Sequence, residues 1–110
     1  MTRYTLHVPE NHNDGTPIGA DYLHYVEGEL LDIAGGYTVT HGVGAWRGKG
    51  TIYREPVALY AIDANGDFTG TQLAYLARRI ACDLSQEAVY LTHSEITVAL
   101  VTAQPELSPA

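Results

Sequence analysis

The sequence predicts an α+β domain of the ferredoxin-like kind: strand and helix order β-α-β-β-α-β, an antiparallel sheet, and two helices on one of its faces. Three observations carry that prediction. Two stretches repeat apolar residues at helical spacing: Leu23, Val26, Leu30 and Ile33, then Leu73, Leu76, Ile80 and Leu84. The segments before, between and after them are rich in β-branched and aromatic residues. The middle segment divides at Trp46–Gly50 (W-R-G-K-G), so a hairpin joins two βαβ halves.

Each element has its own local cause. Arg3–Val8 alternates, with Tyr4, Leu6 and Val8 on one side and Arg3, Thr5 and His7 on the other, as in a half-buried strand. Pro9 to Pro17 is a loop dense in turn formers, among them Asn11, Asn13, Asp14 and Gly15. The first helix runs from about Gly19 to Ala34 and ends at Gly35-Gly36, where glycine takes the left-handed cap at little steric cost. Tyr37–Trp46 and Thr51–Asp63 are the hairpin strands. Pro56 marks an edge position or a bulge in the second, because proline cannot donate to a ladder. Asn65-Gly66 turns the chain, and Thr69 with Gln72 is spaced as a capping box for the second helix. Ala88–Val101 is strongly β-prone, with an interruption expected at His93-Ser94-Glu95. Residues 1–102 form one domain, and 103–110, with two prolines, form a flexible tail.

The third strand is apolar on both sides, Val57, Leu59 and Ala61 opposing Ala58, Tyr60 and Ile62. A strand of that pattern is covered on both faces, and two helices cover only one. A second copy of the chain is the expected cover, giving a face-to-face homodimer or higher even oligomer with Tyr60 in the contact.

The chain has 110 residues, enough to bury a core without disulfides, and one cysteine, Cys82, which excludes an internal bridge. Cys82 is expected to be partly buried and inert beside Arg78 and Arg79. No apolar run approaches the roughly 18 residues of a spanning helix. The net charge is −7, yet residues 41–54 hold Arg47, Lys49 and Arg54 and no acid. General nucleic-acid binding is disfavoured on a mostly anionic surface, and no membrane partner is expected.

The segments Gly44-Ala45-Trp46-Arg47, Arg54-Glu55-Pro56-Val57 and Gln86-Glu87-Ala88-Val89 carry a family likeness. Over about residues 20–101 the chain resembles a domain-of-unknown-function family of small bacterial and phage proteins with a Gly-x-Trp-Arg … Arg-Glu-Pro hairpin. The resemblance implies a ferredoxin-like fold and a phage origin, and with it the cytoplasm of a bacterial host. It implies no activity.

Gly48-Lys49-Gly50-Thr51 is not a phosphate loop, since its spacing is wrong and a strand follows it. No catalytic constellation, metal set or cofactor motif stands out. The five histidines lack His-x-His and His-Glu-x-x-His spacing. His41 shares strand parity with Val39 and Val43, which makes it a core or pocket residue, and His7 faces away from Leu6. His7, His41 and Tyr60 are therefore candidate pocket residues, His7 having Tyr90 or Glu95 as an acid–base partner. Trp46, Arg47, Lys49, Tyr53 and Arg54 combine rings with cations, the chemistry of a phosphorylated base. A Tyr-rich sheet face in a dimer is the plainer reading of the same residues.

The expected function is a non-enzymatic binding protein: a phage accessory, anti-defence factor that sequesters a small anionic ligand or inhibits a host protein. A cofactor-free enzyme of the dimeric α+β barrel type is the alternative, and an acidic mimic of nucleic acid the second. Pocket polarity separates the first two. Arg, Lys and aromatics favour the anion binder, whereas a buried histidine with a carboxylate favours the enzyme.

Overall fold

A computed structural model describes residues 1–66 and 68–103. The elements follow the expected order: β1 (Thr2–Pro9), α1 (Ala20–Ala34), β2 (Thr38–Gly48), β3 (Thr51–Ala64), α2 (Thr69–Asp83) and β4 (Leu91–Glu95). The four strands make one antiparallel sheet in the order β2-β3-β1-β4. That is the ferredoxin-like arrangement. Residues 104–110, most of the expected tail, lie outside the described residues.

Strand register divides the side chains into two faces. Leu6 opposes Tyr60 and Leu91, and Val8 opposes Ala58, so these share one face. Together with Ile62 they meet Val26 and Leu30 of α1 and Leu73, Leu76 and Ile80 of α2 in a single core. Both helical stripes therefore point where their spacing directs them. Gly35 closes α1 with φ 78°, its N–H donating to the Leu31 carbonyl at 2.8 Å.

Several expectations need correction. Tyr60 is not on a contact face but is 1% exposed in the core, its hydroxyl donating to Glu27 Oε2 at 2.8 Å. Its phenol is held well above the ordinary tyrosine range, by burial first and by Glu27 second. Thr69 does not cap α2. Phe68 occupies the cap position, and no side chain bonds the free amides there. The β-prone C-terminal run forms strand only over Leu91–Glu95, so His93-Ser94-Glu95 lies inside β4 and 96–101 lies beyond it. Cys82 is exposed rather than partly buried.

The hairpin outruns the sheet. β1 pairs with β3 only as far as Pro9 opposite Val57, while β2 and β3 continue to Gly48 opposite Thr51. Beyond Pro56 a two-stranded ribbon stands alone, and the molecule measures 62 × 25 × 25 Å. Pro56 sits where β3 becomes an edge, and the register runs past it without a bulge. The tip is a two-residue turn with Lys49 at φ 44° and Gly50 at φ 81°, matching the twist of its strands.

Candidate functional site

A groove of about 960 Å³ opens where the ribbon leaves the body. β1 ends at Pro9, which vacates the lane between β3 and the 85–90 segment. His7, Gly44, Trp46, Glu55 and Val57 line it from the helix-free face of the sheet, and Glu87 and Tyr90 line it from the connection after α2. Gly44–Trp46, Glu55–Val57 and the 85–90 connection thus meet from distant parts of the chain.

Local chemistry builds each wall. Gly42 and Gly44 remove two side chains from the open face of β2, and an added Cβ at Gly44 would lie 4.0 Å from the Glu55 carbonyl oxygen. Glycines in a strand interior leave space for the close approach of a ligand or another backbone. A Cβ at Gly48 would crowd the Tyr53 ring at 3.2 Å. That ring stacks on Trp46 at 5.7 Å and 19°. The 85–90 wall is tied to the β1–α1 loop: Asn13 Nδ2 donates to the Ser85 carbonyl at 2.8 Å, and Gln86 Nε2 donates to Asn13 Oδ1 at 2.7 Å. Asp14 stiffens that loop by accepting from the Thr16 amide and hydroxyl at 2.9 and 2.6 Å.

The groove is acidic and aromatic. Glu55 and Glu87 are its charged side chains, and neither lysine nor arginine is among its lining residues. Burial pushes the His7 imidazole below its usual range, so the ring is neutral at pH 7. The His7 amide donates to the Tyr90 carbonyl at 2.9 Å, and the two rings lie 5.0 Å apart.

The structure separates residues that the sequence grouped. Arg47 and Arg54 do share a face, but it is the face opposite Trp46 and Tyr53, and Lys49 sits at the turn. His41 is neither core nor pocket. Its side chain is 63% exposed and its Nδ1 meets Glu10 Oε1 at 2.8 Å. Tyr60 belongs to the core, which leaves His7 as the one candidate pocket residue that lines the groove. Tyr90 is its neighbour, whereas Glu95 bonds Thr2 at the far end of β1. Sequence reasoning missed Glu55, Glu87, Asn13 and Gln86. The signals present were Gly42 and Gly44 on one strand face and a proline marking the end of a ladder. Among the described residues no three His, Cys, Asp or Glu side chains gather as metal ligands.

No protein-family profile matches the chain, and no curated protein sequence does. Solved structures match its fold. A phage SAM lyase in complex with S-methyl-5'-thioadenosine is similar at a TM-score of 0.63 and 15% identity, over 86% of this chain and 80% of that one. A phage SAM lyase in its apo state gives 0.62 at 12% identity, over 96% and 92%. The divalent cation tolerance protein CutA1 from Thermus thermophilus gives 0.60 at 10% identity, over 91% and 88%. At these identities the likeness is one of fold.

Proposed function

We propose that the groove binds a small cation bearing a flat ring, S-adenosylmethionine in particular, and that the chain cleaves it as a cofactor-free lyase. One observation carries this reading: Glu55 and Glu87 flank a groove walled by Trp46, His7 and Tyr90 and free of lysine and arginine. Carboxylates attract a sulfonium, and aromatic faces stack on an adenine or sit against the positive sulfur. The same lining disfavours the anionic ligand expected from the basic hairpin. The similarity to a phage SAM lyase supports the choice of cation, and phage origin and a bacterial cytoplasm fit it.

The chemistry balances without a cofactor. Sulfur keeps the electron pair of its bond to the methionine chain and leaves as the neutral thioether S-methyl-5'-thioadenosine. A proton on the adjacent carbon passes to a base as the carbon–carbon double bond forms. Glu55, Glu87 and neutral His7 are the bases on the groove wall. Self-association over the helix-free face, where Val57, Leu59 and Ala61 are half-buried, closes the groove from water.

The test is calorimetry with S-adenosylmethionine, followed by chromatography of the mixture. Binding with release of S-methyl-5'-thioadenosine is expected. Glu55→Gln and Glu87→Gln should each weaken binding by about 1.5–3 kcal/mol, the scale of a hydrogen bond to a charged group. Binding without product leaves a sequestering protein. No binding at millimolar ligand overturns the reading.

A further inference from the structure

Among the described residues, two runs at opposite edges of the sheet have no strand partner on one side. The first is the outer side of β2, the terminal strand of the order β2-β3-β1-β4. It runs eleven residues with no proline, no lysine and no break in register. Natural edge strands carry such features to discourage pairing with another chain. Val43 on it is 71% exposed and Trp46 49%. The second is Ile96–Val101 (I-T-V-A-L-V), among the most β-prone runs in the sequence. It continues β4 past its last partner, held at its start by the Ile96 amide donating to the Met1 carbonyl. Val98 is 44% exposed, and Leu100 and Val101 are each 90% exposed.

The segment cannot reach the free edge of its own sheet. β4 and β2 are three strand spacings apart, about 14 Å, with β1 and β3 between them. Charge identifies the partner. Residues 41–54 hold three of the six basic side chains and no acid, so the rest of the chain sets three bases against all thirteen acids. The basic ribbon of one molecule is complementary to the acidic body of another.

We infer that Ile96–Val101 of one copy adds as a fifth strand to the free edge of β2 in a second copy of this chain. Donor and acceptor are different surfaces, so the contact is head-to-tail and needs no even number of copies. It places a neighbour against Gly44–Trp46, on the rim of the groove. The inference goes beyond the ligand reading, and its test needs no ligand.

The experiment is native mass spectrometry of the full chain at micromolar concentration, beside a Val98→Pro, Ala99→Pro double variant. Both residues are exposed and outside the core. Two adjacent prolines remove the ladder donor whichever way the segment faces. An assembly in the native chain and a variant that loses copies from it while keeping the native circular dichroism spectrum are expected. A monomeric native chain, or a variant assembled like the native one, overturns the inference. If the prolines disturb folding, single cysteines at 96–101 are mixed with Val43→Cys copies, all on a Cys82→Ser background. A disulfide between unlike copies supports strand addition, and none at any position refutes it. An assembled chain that ignores S-adenosylmethionine fails the ligand reading alone.

Discussion

The body and the ribbon of this molecule are built by different rules. In the body, β1 and the adjoining half of β3 pack on two helices, and Leu6, Val8, Val26, Leu30, Ala58, Ile62, Leu73 and Ile80 are fully buried. In the ribbon, Trp46 is 49% exposed, Ile52 48%, Tyr53 46% and Val43 71%, on both faces. The body's core residues have found their partners inside the chain. The ribbon's apolar residues have not, and a two-stranded hairpin is marginal by itself in water. Stability and function are thus separated along the length of the molecule. The body holds the frame, and the ribbon with the vacated lane beside it forms the groove and leaves its apolar residues uncovered.

The largest effect should come from the body. Leu73→Ala removes a fully buried side chain from the centre of the core, and such truncations cost about 2–5 kcal/mol. Val43→Ala, an equally apolar site on the ribbon, should change monomer stability by no more than about 0.5 kcal/mol. Urea unfolding of both variants under conditions that keep the chain monomeric checks the contrast. A Val43→Ala loss as large as that of Leu73→Ala would mean that the ribbon is part of the folding unit.

A middle-sized effect should appear at the tip. Gly50 sits at φ 81°, a region costing an ordinary residue about 1–2 kcal/mol. Gly50→Ala should therefore speed amide exchange along 43–56 while leaving the amides of β1 and β4 unchanged. Uniform loss of protection across the sheet would show that tip and body open together.

How much the sequence disclosed follows the same division. The body was legible because its signals are local and repeated: two 3–4 apolar stripes, one alternating strand and a Gly-Gly stop. Tyr60 was misplaced because β3 is apolar on both faces, which leaves parity unable to say which side meets the helices. Register against Leu6 decides it. The site was nearly illegible. Arg47, Arg54, Trp46 and Tyr53 are close in sequence, and proximity alone grouped them, yet the pleat sends cations and rings to opposite faces. Glu55 and Glu87 stand in segments that the sequence reading noted for a family likeness, but nothing local marks either as a groove residue. They line one groove because β1 stops at Pro9, a tertiary fact that no window of sequence contains.

The smallest predicted effect lies at the junction of the two regions, where His7 is half-buried between the body and the groove. Burial lowers its pKa from the ordinary value of 6.5, so the folded chain resists a proton that the unfolded chain accepts. Above that value both states carry a neutral ring, and His7 has no bearing on the pH dependence of stability. As pH falls through 6.5 the unfolded state gains the proton first, so stability declines until the folded ring also titrates, and then levels. A His7→Gln variant lacks this component. The difference in Tm between native chain and variant should be constant above about pH 7 and shift against the native chain as pH falls below 6.5. Protonation also places a positive charge on the wall of the groove that Glu55 and Glu87 line, so cation affinity should fall over the same range in the native chain and less in the variant. A pH-independent difference in both measurements would place His7 in contact with water in solution, and the groove would then be more open than its geometry indicates.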